Sequence, residues 1–240
     1  MTLLDVASVS VSFGGVHALD AVDLDVETAR VTGLIGPNGA GKTTLFNVIC
    51  GLQAPDRGHV HLDGRDISSV AAHKRARLGL ARTFQRLEVF GSMSTRDNIR
   101  VAADVRHRWA KSAPAPAEAT ELILDRVGLR PVADERVDSL PTGLARLVEV
   151  GRALAGEPRV LLLDEPSSGL SEEETDDFAA LLVSLAAEGL GVLLVEHDVE
   201  LVMRVCSAIH VLDFGRIIAV GSPEEIRHDP VVQEAYLGTV

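Results

Sequence analysis

The chain has 240 residues, with few aromatic residues and only two cysteines. Aromatic residues make up 3% of the sequence and hydrophobic residues as a whole 46%, so the core must be built from aliphatic side chains. Such a core suits parallel strands that are buried between layers of helices. The length and the apolar content are enough for one large domain, or for one domain with an inserted lobe.

Basic residues are also scarce, because the net charge is −12. A nucleic-acid binder usually has a basic face, and this sequence predicts none, so no nucleic-acid partner is expected. The one basic cluster is "HKRAR", His73 to Arg77. We interpret it as the solvated face of a helix rather than as a site for a phosphate backbone.

Neither the cysteines nor the apolar runs point to a secreted or membrane-spanning protein. Cys50 and Cys206 each lie in an apolar stretch and are predicted to be reduced core residues, since no Cys/His spacing resembles a zinc site. The longest apolar run, near residues 160–163, ends at Asp164 and Glu165 and is too short to span a bilayer. No signal segment begins the chain, so a cytoplasmic protein that can dock on a membrane protein is expected.

Alternating apolar and polar residues begin the chain, in "LLDVASVSVSF" and "VDLDVE". This pattern predicts antiparallel strands with one wet face. An apolar strand at residues 31–35 then enters a glycine-rich turn and a helix, and "GHVHLDGRDI" predicts a strand pair that turns at Asp63–Gly64.

The segment from Gln85 to Leu140 is helical in pattern and more charged. Within it, "KSAPAPAEAT" at Lys111–Thr120 is predicted to be an exposed loop between helices. Apolar strands then return in "RVLLLDEP" and "GVLLVEHD", and "LDFG" is predicted to turn between the last two strands. The sequence thus predicts a mainly parallel α/β core with an early antiparallel piece and an inserted helical lobe.

A phosphate-binding loop is the most specific motif of the chain. "GPNGAGKT", Gly36 to Thr43, fits the pattern G-x-x-x-x-G-K-[ST] and stands between an apolar strand and a helix, as the motif requires. Backbone N–H groups and the helix N-terminus would converge on phosphate oxygens. Lys42 would reach the β- and γ-phosphates, and Thr43 would offer its hydroxyl to Mg²⁺. The alternative is an ordinary glycine-rich turn from strand to helix.

Acidic and amide residues follow the later strands. Asp164 ends the apolar strand in "VLLLDEP", and a strand parallel and adjacent to the P-loop strand would bring its carboxylate near the Mg²⁺. Glu165 could orient or deprotonate an attacking water. His197, at the carboxyl end of the third apolar strand, is a candidate for the γ-phosphate, although a lone histidine is more often structural. Gln85 lies where the core gives way to the helical lobe.

The order of these segments resembles the ATPase subunit of ABC transporters over almost the whole chain. The segments are the P-loop, "FQ", a glycine-bearing helix start, "LLLDEP", "SGL" and "EHD". A finer similarity, to the ATPases of branched-chain (hydrophobic) amino-acid importers, rests on "RTFQRLEVFGSMSTRDNI", "LLVEHDVELVM" and the tail "VGSPEEIRHDPVVQEAYLG". The tail is the most specific, because general ABC ATPases lack it.

The resemblance implies a P-loop NTPase (RecA-like) core with an N-terminal antiparallel β-subdomain and an inserted α-helical subdomain. The implied single ABC ATPase domain spans residues 1–240. It divides into a nucleotide-binding core of residues 1–85 and 152–220, a helical lobe of residues 86–151 and a tail of residues 221–240.

The resemblance also implies roles for single residues. Phe13 is expected to stack on adenine, and its alternative is an outward-facing strand residue. Gln85 is expected to touch Mg²⁺ and the water and to report to the permease. Asp164 would support Mg²⁺, Glu165 would be the base, and His197 would hold the γ-phosphate. The phosphates and Mg²⁺ of ATP would be bound by Gly36, Asn38, Gly39, Ala40, Gly41, Lys42, Thr43 and Thr44.

One motif departs from the family. "LPTGLAR", Leu140 to Arg146, stands where the family has a Ser-Gly-Gly-Gln type motif that opens a helix toward the ATP of the other ATPase subunit. Pro141 replaces the serine, Thr142 the first glycine and Leu144 the glutamine. Gly143 and the helix dipole remain, so Thr142 and Gly143 are expected to face the partner's nucleotide, and Thr142 could either replace the lost serine hydroxyl or cap the helix. Ser171 is a second departure, where the family usually has Asp.

The resemblance implies an ATP-hydrolysing subunit of an importer on the inner face of the membrane, with ATP and Mg²⁺ as cofactors. Its implied partners are membrane permease subunits, a second ATPase, and a substrate-binding protein indirectly. The second ATPase is expected to be a distinct chain with the standard motif, with a homodimer as the alternative. "SSGL", Ser167 to Leu170, would line the contact of the two ATPases. The permease is expected in the groove between core and lobe, near Gln85.

Four alternatives stay open on the sequence alone. A related importer for urea or short amides has the same features. A soluble ABC protein acting on ribosomes or DNA usually has two cassettes or long insertions, and a small-molecule kinase on the same P-loop would not need Glu165 beside Asp164. A non-hydrolysing regulatory ATPase is opposed by Glu165 and His197 but favoured by the altered "LPTGLAR".

Overall fold

A computed structural model of the chain describes residues 1–110 and 112–237. The strands are β1 (Thr2–Phe13), β2 (Val16–Glu27), β3 (Val31–Ile35), β4 (Arg57–Leu62), β5 (Arg65–Asp66), β6 (Leu80–Arg82), β7 (Val160–Asp164), β8 (Gly191–Val195), β9 (Ala208–Asp213) and β10 (Arg216–Gly221). The helices are α1 (Lys42–Cys50), α2 (Ala72–Arg77), α3 (Thr95–Trp109), α4 (Pro116–Arg126), α5 (Thr142–Leu154), α6 (Glu172–Ala187), α7 (Val199–Val205), α8 (Pro223–His228) and α9 (Pro230–Leu237).

Two sheets organise these elements. The first is four-stranded, in the order β2-β1-β4-β5, and its pairs are antiparallel. The second is six-stranded, in the order β10-β9-β3-β8-β7-β6, and only its edge pair β10–β9 is antiparallel. The predicted fold class, a mainly parallel α/β core with an antiparallel β-subdomain and a helical lobe, is confirmed.

The expected neighbour of the P-loop strand was wrong. We placed the strand of Asp164 beside β3, but β8 lies between β3 and β7. All three strands are mainly apolar and are buried along their whole length, so their sequences do not reveal their order. The carboxyl ends of these parallel strands nevertheless meet at one edge of the sheet, which brings the residues after β7 and β8 to the P-loop side.

Aliphatic side chains cover both faces of the parallel sheet. Alternate residues of β3 point to opposite sides, so that Leu34 packs with α1 and the antiparallel sheet. Val31 and Ile35 pack with α5, α6 and the helical lobe on the other face. Cys50 and Cys206 are free and buried as predicted, and burial raises the pKa of both thiols, that of Cys206 to about 12.

The basic cluster His73–Arg77 is not wholly solvated, which corrects our interpretation. Arg75 is 1% exposed and donates through Nη1 to the carbonyl oxygens of Val48 and Ile49, at 2.8 and 2.7 Å. Those carbonyls belong to the last turn of α1, where helical N–H donors run out, and the Val48 carbonyl accepts otherwise only from the N–H of the C-cap residue Gly51. Arg75 therefore caps the helix that begins at the P-loop.

The predicted loop Lys111–Thr120 is also only partly correct, because α4 already begins at Pro116. Proline is favoured in the first helical turn, where its missing N–H would have no partner in any case. Lys111 itself lies outside the described residues. The pair β4–β5 with its turn at Asp63–Gly64 is confirmed, and both turn residues have positive φ, 53° and 72°.

No helix of the described ranges, 1–110 and 112–237, is long and apolar enough to cross a membrane. The division into core, lobe and tail stays a proposal, and the expected boundary at residues 151 and 152 falls inside α5.

Candidate functional site

The P-loop joins β3 to α1 at the carboxyl edge of the parallel sheet. Helix α1 begins at Lys42 with Gly41 as its N-cap, and no side chain caps its first N–H groups. These N–H groups and the positive end of the helix dipole are therefore available to an anion. Asn38, Gly39 and Thr43 are exposed to solvent, as a loop that meets a ligand requires.

Two glycines are fixed in place by neighbouring backbone. Gly36 has φ of +153°, and a Cβ there would lie 1.9 Å from the carbonyl oxygen of Leu212 in β9. Gly41 has φ of +111°, and a Cβ there would lie 2.5 Å from the carbonyl oxygen of Ala18 in β2. Only glycine fits at both positions, so strands from both sheets hold the loop in one shape.

Lys42 folds back over the loop that precedes it. Its Nζ donates to the carbonyl oxygens of Gly36, at 2.6 Å, and Pro37, at 3.0 Å. Burial lowers the pKa of this ammonium group, while the charges of Glu165 and Asp164 oppose the shift. The ammonium thus lies between the loop and the two acidic residues, where a phosphate would contact it.

Asp164 is buried at the end of β7 and is paired with an arginine that sequence reasoning missed. Arg82 donates through Nη2 to Asp164 Oδ2 at 2.9 Å and through Nη1 to Asn47 Oδ1 at 2.7 Å. Its guanidinium lies between the rings of Phe46 and Phe84, at 5.3 and 5.0 Å from their centroids. Arg82 thereby fixes the carboxylate relative to α1 and the P-loop.

Glu165 directly follows β7 in a conformation that is uncommon for its residue type. Its φ is +50°, and its N–H donates to the carbonyl oxygen of Val195 in β8 at 2.9 Å. Non-glycine residues with positive φ are strained and cluster at functional sites. The two neighbouring carboxylates bond different partners, Asp164 with Arg82 and Glu165 with Gln85 and His197.

The carboxylate of Glu165 is held by both of the other predicted catalytic residues. His197 Nε2 lies 2.8 Å from Oε1, and Gln85 Nε2 donates to Oε2 at 2.9 Å. The structure therefore brings together three residues that are distant in sequence, from the ends of three segments. Such an arrangement fits a group that orients or accepts a proton from water.

Glu196 is a second residue that the sequence did not reveal as part of the site. It is 4% exposed, and its carboxylate accepts from the N–H of Ser167 at 2.7 Å and of His197 at 3.1 Å. Burial raises the pKa of Glu196, and these backbone donors oppose the shift. The residue joins the loop after β7 to the loop after β8, and so positions His197.

The strand that follows Phe13 and the C-terminal tail both approach the P-loop. Phe13 ends β1 with 52% of its surface exposed, and the following strand brings Ala18 against Gly41. Residues of α9 share a pocket with Asn38 and Gly39, and the Tyr236 oxygen accepts a hydrogen bond from the Gly36 N–H. Burial raises the pKa of Tyr236, and this hydrogen bond opposes the shift.

Thr142 and Gly143 contact the loop and helix that follow Glu165. A Cβ on Gly143 would lie 2.3 Å from Glu174 Oε1, and one on Gly169 would lie 3.4 Å from Thr142 Cγ2. Pro141 is the N-cap of α5, and no side chain caps this helix. Our alternative that Thr142 caps α5 is therefore wrong, because Thr142 is already its first helical residue.

Ser171 has a local reason to differ from the usual aspartate. It is the N-cap of α6, where its Oγ accepts from Glu174 N–H at 3.2 Å and its own N–H donates to Glu174 Oε2 at 2.8 Å. This reciprocal pair is a capping box, which stabilises the helix start. It also places the Glu174 carboxylate against Gly143.

An apolar groove of about 560 Å³ lies between the core and the helical lobe. It runs from Leu52 and Leu80 on the core to Val105 and Trp109 of α3, and Phe84 lies at its border. Leu52 and Val105 are 58% and 54% exposed. The groove is therefore an accessible apolar surface next to the segment that carries Gln85.

This fold and site define a P-loop ATPase with an inserted helical lobe. The sequence profile described as "ABC transporter" matches residues 19–168, more than half of the chain. The chain therefore belongs to the ABC transporter ATP-binding family, and it is the nucleotide-binding, ATP-hydrolysing component of a transporter. A second profile, "Branched-chain amino acid ATP-binding cassette transporter", matches residues 216–240.

Relatives cover nearly the whole chain. It is 40% identical over 252 residues to the "High-affinity branched-chain amino acid transport ATP-binding protein BraF" of Pseudomonas aeruginosa, with 98% of each chain covered. It is also 40% identical over 217 residues to the "Lipopolysaccharide export system ATP-binding protein LptB" of Acidithiobacillus ferridurans, which covers 90% of this chain and 89% of that protein.

A solved structure has the same architecture. The nucleotide-free ATP-binding cassette of an ABC transporter superposes with a TM-score of 0.87 at 32% identity, and the match covers 98% of this chain and 99% of that one.

Proposed function

We propose that the chain is the ATPase subunit of an ABC importer for branched-chain amino acids. The observation that carries this proposal is the C-terminal segment 216–240, which matches a profile of branched-chain amino-acid cassettes. The full-length similarity to BraF supports it. The subunit itself does not contact the transported molecule, so the substrate is inferred from relatives rather than from a pocket.

Mg²⁺ fits the side chains at the carboxyl edge of the sheet. Thr43, Gln85 and Asp164 offer hydroxyl, amide and carboxylate oxygens, the ligand type that this ion prefers. In the described part of the chain no cluster of three or more His, Cys, Asp or Glu side chains could hold a metal by itself. Phosphate oxygens and water would complete such a site, where Mg²⁺ neutralises charge on the transferred phosphoryl group.

The remaining roles follow from position. Phe13 stacks on adenine, and Lys42 leaves the loop carbonyls to contact the phosphates. Glu165 orients the attacking water and accepts its proton, and its strained backbone keeps the carboxylate in place. His197 and Gln85 hold that carboxylate before ATP arrives and turn to the γ-phosphate and the ion when it is bound. The direct partners of Glu165 support this assignment.

The proposed partners are permease chains and a second ATPase, with the subunit peripheral on the inner face of the membrane. A short cytoplasmic helix of the permease would occupy the groove beside Phe84, because that groove is apolar and exposed. The second ATPase would place its own motif on this chain's P-loop. Thr142 and Gly143 would in turn serve the partner's site, without the serine hydroxyl of the standard motif.

A lipopolysaccharide exporter is the second candidate, because LptB of Acidithiobacillus ferridurans is as similar in identity as BraF. Uptake of radiolabelled leucine separates the two candidates in the native host. Cells that lack this chain should lose leucine uptake, and wild type but not Glu165→Gln should restore it. Unchanged leucine uptake together with loss of lipopolysaccharide from the cell surface would favour export instead.

A further inference from the structure

The backbone around Gln85 leaves the parallel sheet after β6 and is then bonded by side chains of α5. Thr83 N–H still donates to a β7 carbonyl at 2.9 Å. From Phe84 onward, the polar atoms of the main chain meet Arg146 and Glu149 instead. The segment that positions Gln85 is thus held by a helix rather than by a strand.

The hydrogen bonds of this pair are specific to main-chain atoms. Arg146 donates through Nη1 to the Phe84 carbonyl at 3.1 Å and through Nη2 to that of Gln85 at 2.7 Å. Glu149 Oε1 accepts from the N–H of Phe84 at 3.1 Å and of Glu88 at 3.4 Å. The two side chains also pair with each other, Nη1 to Oε2, at 3.3 Å.

This pair is buried, with side chains 9% and 6% exposed. A buried ion pair is often no more stabilising than apolar residues of similar volume, so stability alone does not explain it. Its distinctive feature is that Phe84 has both its N–H and its carbonyl bonded by α5. A shift of α5 would therefore carry the Gln85 segment with it.

Helix α5 reaches a different part of the molecule at its N-terminal end. Thr142 and Gly143 begin the helix, and Arg146 follows Thr142 by four residues, about one turn. At the far end of the connection, Gln85 Nε2 donates to Glu165. The N-terminal end of α5 is thus connected to Gln85 through one helical turn and the Arg146–Glu149 ion pair.

We propose that Arg146 and Glu149 are positioning residues that tie Gln85 to the N-terminal end of α5, so that contact of this end with the partner subunit's nucleotide releases Gln85 from Glu165. The inference rests on the proposed function, in which the end of α5 serves the partner's site. In this proposal Arg146 and Glu149 couple the nucleotide site of this chain to that of its partner, although neither side chain contacts a nucleotide itself.

A double substitution separates coupling from folding. Arg146→Met with Glu149→Leu keeps the volume of the pair and leaves no unpaired buried charge, but it removes the bonds of both side chains to Phe84, Gln85 and the Glu88 N–H. The transporter complex is purified through an affinity tag on the full chain. We expect the same subunits, a similar unfolding midpoint and a KM for ATP within about twofold, but a kcat lower by about tenfold or more.

A matched control removes an ion pair that does not contact this segment. Arg130 pairs with Asp125 on the outside of the helical lobe, where both side chains are about half exposed. Arg130→Met with Asp125→Leu should leave kcat unchanged. If the buried double variant fails to assemble, Glu149→Gln takes its place. The glutamine oxygen can still accept from the Phe84 N–H, whereas its NH2 group and the Arg146 guanidinium are both donors and cannot bond each other. A kcat of Glu149→Gln equal to wild type would then overturn the proposal.

A nitroxide on Arg86→Cys reports directly on the segment, because Arg86 is exposed whereas Cys50 and Cys206 are buried. ATP should immobilise the probe in the otherwise wild-type complex and not in the double variant. If the double variant keeps the wild-type kcat and ATP still immobilises its probe, the positioning role is overturned while the proposed function stands. A wild-type complex that does not hydrolyse ATP would instead refute the proposed function.

Discussion

The P-loop and the N-terminal end of α5 are two helix starts that carry glycine, and they are fixed in different ways. Gly36 in the P-loop is enclosed by backbone, since a Cβ there would lie 1.9 Å from the Leu212 carbonyl oxygen. Gly143 in α5 meets the end of a flexible side chain, Glu174, at 2.3 Å. Neither helix has a side-chain cap, a feature they share with α2 and α4.

The difference shows which sequence changes each site tolerates. In the P-loop the main-chain shape requires glycine, so the motif is strict. At α5 the helix forms with Pro141 as N-cap and Thr142 as first residue, so its side chains can change without loss of the helix. We therefore expect this chain's own site to work fully and the site that it completes in its partner to be weaker.

The largest effect should come from the complete site. Glu165→Gln keeps the hydrogen bond from Gln85 possible but removes the proton acceptor, so kcat should fall by about a hundredfold to ten-thousandfold. Release of phosphate by the purified complex measures the rate, and titration with ATP checks that binding is retained. A rate within a few-fold of wild type would remove Glu165 from its proposed role.

A matched pair of glycine substitutions tests the comparison itself. Gly36→Ala forces an alanine to φ of +153° against backbone and should lower the free energy of unfolding by about 2–4 kcal/mol. Gly143→Ala requires only that the Glu174 carboxylate move, and alanine is the better helix former, so the change should stay within about 1 kcal/mol. Denaturant unfolding of the full chain measures both. Equal losses would contradict the difference that we describe.

Pro141→Ser should repair the altered motif. The serine can cap α5 and donate to the partner's γ-phosphate, worth about 1 kcal/mol, or roughly fivefold in rate. Phosphate turnover of the assembled complex should therefore rise. An unchanged rate would show that Pro141 does not weaken a site.

The smallest effect should come from the tail. Tyr236→Phe keeps the ring and removes the oxygen that accepts from Gly36 N–H, so the affinity for ATP should change by less than about tenfold, since one hydrogen bond contributes roughly 1 kcal/mol. Titration with a fluorescent ATP analogue measures it. A total loss of binding would mean that the tail is a structural part of the P-loop rather than its neighbour.

Features that depend on a few consecutive residues were predictable from the sequence, whereas contacts between residues far apart in the chain were not. The P-loop, the ends of β7 and β8 and the Asp63–Gly64 turn each have a local pattern. Arg75, Arg82 and Glu196 gave no such signal, because each joins the site through a partner 26 or more residues away. The order β3-β8-β7 was not predictable either, because three buried apolar strands have interchangeable sequences. The roles of the predicted site residues remain proposals.

The composition of the native complex tests the central claim of two unequal sites most directly. The chain would be isolated from its native membranes in mild detergent through an affinity tag, and its partners identified and counted. We predict two permease chains and a second, distinct ATPase that carries the standard serine and glutamine. Recovery of this chain as the sole ATPase would contradict the claim, because "LPTGLAR" would then have to serve both sites equally.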